Sequence, residues 1–240
     1  MRGMASSSMA PRRRVYGNTE SVDNYLKAIF ALGGVEEQRV TIKALSERLS
    51  VAPASVTNML QKLAAAAAPL VRYERHRGVM LSSSGRRRAV EIVRHHRLIE
   101  TFLYKVLDYP IDEVHDEAER LEHFISERFE ERIAAKLGHP TFDPHGHSIP
   151  TFEGEMYSPQ ESIVLSDVQR GGNFVIDSVS DRDAGNLRRI EAYGISPGAK
   201  LRVRRVVPED SYTVSVGRSG KAFDLSQELA RDVRIVPLRD

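Results

Sequence analysis

The spacing of hydrophobic positions changes rhythm along this chain. In residues 20–63 they recur three and four apart. Val22, Tyr25, Leu26, Ile29 and Phe30 share one face, which predicts a helix ended by Gly33-Gly34. Thr41 stands where a helix N-cap belongs, ahead of inward-facing Ile42, Leu45 and Leu49. Ser50-Val51-Ala52-Pro53 predicts a tight break, with Pro53 suited to the first turn of the next helix. That helix buries Val56, Leu60 and Leu63 and presents Ser55, Thr57, Asn58, Gln61 and Lys62. Two short helices around a tight turn, with small polar side chains on the free face, predict a helix-turn-helix. Residues 70–74 and 79–82 read as short strands flanking the basic tip Arg75-His76-Arg77-Gly78, so helices and hairpin together predict a winged helix. The alanine run 64–68 extends or frays the second of the two helices.

Beyond residue 84 the helical rhythm lengthens and then gives way. Residues 85–107 predict a long amphipathic helix with Val90, Val93, Leu98, Phe102, Leu103 and Val106 as its apolar positions, broken by Pro110. Residues 112–124 and 126–137 predict two more helices, stopped at Gly138. Residues 139–160, rich in Pro, Gly and His, read as a linker. Alternation then predicts strands at 162–168, 174–179, 200–207, 212–216 and 233–237, with a helix over 183–193 closed by Gly194. Five short strands in so small a span predict a barrel of the SH3 type. The expected fold class is α+β: an N-terminal winged helix-turn-helix, a helical dimerisation domain and a C-terminal SH3-like β-barrel. The expected divisions are a disordered basic tail over 1–19, with Arg12, Arg13 and Arg14 in a row, a DNA-binding domain over 20–88, a metal-binding and dimerisation domain over 89–140, a linker over 141–160 and the barrel over 161–240.

Charge sharpens this picture. The net charge of +2 conceals +9 over residues 1–90 (15 Lys/Arg against 6 Asp/Glu), −5 over 91–140 (7 against 12) and −2 over 141–240 (13 against 15). A basic front attracts polyanions and an acidic middle attracts cations. Zero cysteines exclude disulfides, thiolate zinc sites and iron–sulfur clusters. No apolar run approaches a membrane span and residues 1–14 lack a signal-peptide core, so a cytoplasmic protein is expected.

The acidic middle carries the chemistry. His96 and Glu100 are four apart on one helix; His115, Glu119, Glu122 and His123 stand at i, i+4, i+7 and i+8 on the next. Imidazoles and carboxylates without thiolate suit a divalent first-row metal. The same pattern is more often a solvated helix face, and only the pairing of two helices lifts it above that. His95 is expected to face solvent, about 100° from His96 on the helix. His139, His145 and His147 fall in a segment expected to be a loose loop. On the DNA side, Lys62, Arg72, Arg75 and Arg77 are expected on phosphates. Ser55, Thr57 and Asn58 are candidates for base edges, and Ala52 and Ala54 for thymine methyls.

The run His96-Arg97-Leu98-x-Glu100, followed by Val114-His115-x-Glu117-Ala118-Glu119-x-x-Glu122-His123, resembles the signature of the diphtheria toxin repressor family of metal-activated transcription factors. The resemblance extends through Tyr25-Leu26, Ser55-Val56-Thr57 and residues 144–150, and covers roughly residues 20–240. It implies a homodimer whose first helix becomes ordered in the metal-bound state, setting two recognition helices at the spacing of a palindromic operator. An ancillary site would use His96, Glu100 and His115, completed by Asp183 and Asn186 of the third domain. A primary site would use Glu119, Glu122 and His123, closed by Asn24 or its neighbour Asp23. The family's iron-type members carry cysteine at the position of Glu119 and its manganese-type members an acid, so Mn(II) is the expected ion and Fe(II) the alternative. Lys27 stands where the manganese type often has a further acid, which argues against a two-metal cluster of that kind. A metallohydrolase and a metal-independent winged-helix regulator are the competing functions.

Overall fold

The computed structural model describes residues 19–34, 38–157, 162–217 and 220–238; the expected basic tail with Arg12–Arg14 lies outside them. The chain divides into two compact units between Arg86 and Arg87.

In the first unit, α1 (Thr19–Gly33) buries Val22, Tyr25, Leu26, Ala28 and Ile29 along one face. α2 (Ile42–Leu49) starts at Thr41, whose hydroxyl accepts the Ala44 N–H at 3.1 Å, and ends on Ser50 in the left-handed region at φ 54°. α3 (Pro53–Ala65) has Pro in its first turn and buries Val56, Leu60 and Leu63. The wing is the antiparallel pair β1 (Val71–Glu74) and β2 (Gly78–Leu81). Val40 adds a third rung by exchanging both backbone hydrogen bonds with Val79 at 2.9 Å. Gly78 is required there: at φ 92° a Cβ would stand 2.4 Å from the Val40 carbonyl oxygen. Burial of the apolar faces of three helices beneath this ribbon accounts for the winged helix.

α4 (Ser83–Leu107) begins two residues earlier than periodicity predicts, because Ser82 Oγ accepts the Gly85 N–H at 3.1 Å and caps it. α5 (Val114–Leu121) is shorter than expected. Glu122 still donates its N–H to the Ala118 carbonyl at 2.9 Å, whereas His123 lies in the turn beyond. α6 (Glu127–Lys136) is capped by Ser126. Leu98, Ile133, Ala134 and Ile149 form one apolar cluster, and Ile99, Leu103, Val114 and Ala118 another, so the helices are fixed on α4 from two sides.

The remaining elements are β3 (Ile163–Val164), β4 (Gly172–Val179), α7 (Ala184–Ala192), β5 (Lys200–Val207), β6 (Ser211–Val216), β7 (Phe223–Ser226), α8 (Gln227–Ala230) and β8 (Val233–Pro237). They build a six-stranded antiparallel sheet in the order β3-β8-β4-β5-β6-β7. Its inward residues, among them Ile176, Leu201, Val214 and Ile235, form one core with Leu165 and with Ile190 of α7. Edge strands β3 and β7 do not pair with each other among the described residues, so the sheet is open where a closed barrel was expected. The expected strand over 162–168 also shortens, since Leu165–Asp167 turns into a 3-10 helix that buries Leu165.

Residues 139–150 correct the expectation of a loose linker. Asp143, His145, Ser148 and Ile149 are buried. Phe142 and Ser148 form a bridge, Val179 donates its N–H to the His145 carbonyl at 2.9 Å, and Arg94 holds the Pro150 carbonyl at 2.6 Å. Gly146 sits at φ 90°, where a Cβ would come 2.3 Å from the Asp177 carbonyl oxygen. This strap is packed, and it carries two histidines with it.

Candidate metal centre and nucleic-acid interface

His96 stands at the middle of the site. It is one helical turn from Glu100 on α4, and its Nε2 lies 2.9 Å from Glu100 Oε1 and 3.1 Å from His115 Nδ1. His115 Nδ1 is in turn 3.2 Å from Glu100 Oε1 and 3.4 Å from Asp181 Oδ2. His145 brings Nδ1 to 3.8 Å from Glu100 Oε1, while its Nε2 lies 3.2 Å from the Ile111 carbonyl. A carbonyl can only accept, so Nε2 donates its N–H there, and Nδ1 is the nitrogen turned toward Glu100. His96, Glu100, His115 and Asp181 offer ligand atoms all within 4.8 Å of one another.

On its other side His96 points Nδ1 at Glu122 Oε2 (2.5 Å) and Glu119 Oε2 (3.7 Å). Glu122 Oε1 is 3.4 Å from His123 Nε2. Glu122 and His123 are buried and Glu119 is half-exposed. Two groups of donors therefore share a wall, contributed by α4.

Burial alone raises the carboxyl pKa of Glu100, but His96, His115 and His145 outweigh it and hold the group well below the ordinary range. Burial disfavours the charged imidazole of His115, yet hydrogen bonds to Asp181 and Glu100 push it up to about 10. His145 is likewise lowered by burial and lifted by Glu100, reaching about 9. Asp181 would be raised by burial, but His115 and His147 hold it far down. Protons thus supply the positive charge that this acidic pocket needs, and a dication can take their place. The fit to a metal rests on atoms: Glu100 Oε2 and His145 Nδ1 are buried with no hydrogen-bond partner among the described residues.

Several expected residues fall elsewhere. Asp183 caps α7, accepting the Asn186 N–H at 2.7 Å, and the Asn186 amide donates to Asp232 at 2.9 Å. The third domain's carboxylate at the cluster is instead Asp181, two residues earlier, because α7 begins just after Asp183 and spends that side chain on its own cap. His95 is buried rather than solvent-facing: Nε2 pairs with Glu130 at 2.9 Å and Nδ1 lies 3.2 Å from the Glu122 carbonyl. α6 covers that face of α4, which periodicity on α4 alone could not reveal. His145 and His147 join the pocket while His139 is exposed. The signal that could have found them is Gly146 between two histidines, since a glycine held at positive φ marks a built turn. In the first unit, Asn24 Oδ1 is buried without a hydrogen-bond partner among the described residues, in a cleft with Glu20, Ser21, Tyr25, Leu49 and Val51.

On α3 and its approach, Ala52, Ala54, Ser55, Asn58 and Lys62 are exposed, as are Arg72, Arg75 and Arg77 on the wing. Thr57 is half-buried and its hydroxyl donates to the Pro53 carbonyl at 3.0 Å, which leaves only its lone pairs for a base. Arg77 pairs with Glu74 at 3.4 Å at the surface.

A winged helix followed by a helical unit with a buried histidine–carboxylate centre defines a metal-dependent DNA-binding regulator. Residues 18–79 match the iron-dependent repressor N-terminal DNA-binding domain. Residues 82–151 match the metal-binding and dimerisation domain of the same repressors, and residues 163–237 match the FeoA domain. The chain is 30% identical over 230 residues to the iron-dependent repressor IdeR of Mycobacterium leprae, covering 90% of this chain and 96% of that one. It is 31% identical over 239 residues to the diphtheria toxin repressor of Corynebacterium jeikeium, with the same coverage. Among solved structures it is similar to a manganese-dependent transcriptional repressor in complex with manganese, at 37% identity and a TM-score of 0.82 over 90% of this chain and all of that one. It is also similar to ScaR with bound Cd2+, at 30% identity and a TM-score of 0.74, over 90% of this chain and 99% of that one. The chain belongs to the iron-dependent (diphtheria toxin) repressor family, and its function is that of a metal-dependent transcriptional repressor.

Proposed function

We propose that this repressor responds to Mn(II), and that as a homodimer it binds a palindromic operator when the ion is held by residues of its helical unit. The observation that carries this is the convergence of His96, Glu100, His115 and Asp181 from three separate segments, around buried atoms with no hydrogen-bond partner among the described residues. Those four, with Nδ1 of His145, would hold one ion. Glu119, Glu122 and His123 would hold another. A bound dication supplies the positive charge that lets these carboxylates stand together in a dry site. Glu119 offers oxygen where the iron-type pattern has sulfur, which favours the harder ion. The similarity to a repressor solved with manganese points the same way. Iron-dependent relatives at similar identity support Fe(II) as the second reading. We further infer that the C-terminal sheet is an SH3-like fold of the FeoA kind and that the chain has no catalytic role; among the described residues no helix is long and apolar enough to cross a membrane.

The test is a gel shift on a duplex selected by the protein from a random pool, with chelator, Mn(II), or Fe(II) without oxygen. A shift that requires metal and is half-complete at lower Mn(II) than Fe(II) is expected. An equal shift in chelator would make the chain a metal-independent regulator. Loss of DNA binding alongside a hydrolytic activity would make it a metallohydrolase.

The wing carries a second expectation. Arg72→Ala and Arg75→Ala should each weaken binding to all sequences alike, reducing the slope of log affinity against log salt by about 0.9. A change in sequence preference without a change in slope would move these residues from phosphates to bases.

A further inference from the structure

Asp143 is buried one strap away from the metal centre; one of its oxygens takes two backbone hydrogen bonds, and the other, without a hydrogen bond among the described residues, faces Arg97 and His147. Oδ1 accepts the backbone N–H of His145 and that of His147, both at 2.9 Å. Oδ2 lies 3.6 Å from Arg97 Nε and 3.4 Å from His147 Nδ1. Arg97, one residue after His96, also donates to the Ser148 carbonyl. Asp143 belongs with His145 and His147 to a set of ligand atoms within 4.8 Å of one another, but the Arg97 guanidinium, 3.6 Å from its Oδ2, already supplies a positive charge there. The effect of Asp143 is on shape. The two amides it gathers belong to the residues that point Nδ1 of His145 at Glu100 (3.8 Å) and Nδ1 of His147 at Asp181 (3.8 Å). The turn between them closes over Gly146, which no larger residue could replace against the Asp177 carbonyl.

We infer that Asp143 is a positioning residue for the centre built on Glu100: by accepting the backbone N–H groups of His145 and His147, it folds the strap 143–148 so that His145 is presented as a ligand, without binding the ion itself. This rests on the two-ion reading above. Loss of a residue that orients a metal ligand typically weakens affinity by about 10–100-fold.

The experiment is a calorimetric and visible-absorption titration of the full chain with Co(II), using wild type, Asp143→Ala, Asp143→Asn and Glu100→Gln. Asn keeps an oxygen to accept the two amides but loses the charge a ligand would use. Wild type should take two ions, and Glu100→Gln should lose one. Asp143→Ala should weaken that same ion by about 10–100-fold and leave the other unchanged, which also shows that the variant folds. Asp143→Asn should lose clearly less than Asp143→Ala, since an oxygen acceptor for the two amides remains. Equal losses in Asp143→Asn and Asp143→Ala would make Asp143 a ligand and overturn the inference. Wild-type titration of Asp143→Ala would remove any role for it. A wild-type chain that takes one ion, or a Glu100→Gln variant that still takes two, would overturn the two-ion reading itself, and the inference with it.

Discussion

Glu122→Ala is expected to weaken metal-dependent operator binding by about 100-fold or more at Mn(II) levels that saturate wild type, a loss of about 2.7 kcal/mol of coupling. Glu122 is fully buried, with Oε2 on His96 and Oε1 near His123. It is thus the carboxylate through which the α5 donors meet α4. Alanine removes one of the few charges able to offset a dication there, and the imidazoles left behind are neutral ligands. The fold should survive, because the Glu122 N–H stays bonded to Ala118 and alanine favours the helix end. Circular dichroism and sedimentation should report a folded dimer, and fluorescence anisotropy on the selected duplex should report the loss. His123→Ala should behave alike. Undiminished binding by both variants at micromolar Mn(II) would remove these residues from the site. Switching requires that the ion bind one arrangement of the chain better than another, so a site that no longer holds it has nothing to couple.

Glu130→Ala should lower stability by about 3 kcal/mol, read as a drop in melting temperature of the metal-free protein. Glu130 is buried on α6 and takes both Arg94 and His95, so its removal strands a guanidinium and an imidazole under the helix. Glu130→Gln should be milder, since the amide oxygen still accepts one of those bonds. Burial raises the Glu130 pKa, but His95 and Arg94 outweigh it, and the group ends below its ordinary range. The folded value lies below the unfolded one, so the stabilisation is present above the usual carboxylate range and fades as pH falls through the folded value. The gap in melting temperature between wild type and Glu130→Gln should therefore narrow in acid. A gap that widens there would reverse the assignment of charge.

Legibility followed how far apart in the chain the determining contacts are. α2 and α3 could be read because their caps, Thr41 and Pro53, and their buried faces, Leu45, Val56, Leu60 and Leu63, all lie within a few residues of one another. The pair His96 with Glu100 was visible for the same reason, as helical spacing carries its own geometry, whereas His123 lies in the turn after α5 and off that stripe. β7 and α8 escaped notice: Phe223–Ser226 buries little beyond Leu225, and four residues hold too few positions for a period.

What the amino-acid order determined unaided was the set of local elements, the basic front, the acidic centre and the nitrogen–oxygen character of the candidate ligands. Tertiary structure decided which carboxylate of the third domain arrives, Asp181 in place of Asp183 and Asn186, because α7 claims Asp183 for its cap. It also decided that His95 is buried by α6 and that His145 reaches Glu100 on a packed strap. These depend on backbone segments separated by tens of residues and brought together by burial of their apolar neighbours. Spacing along one helix holds no record of what packs against it.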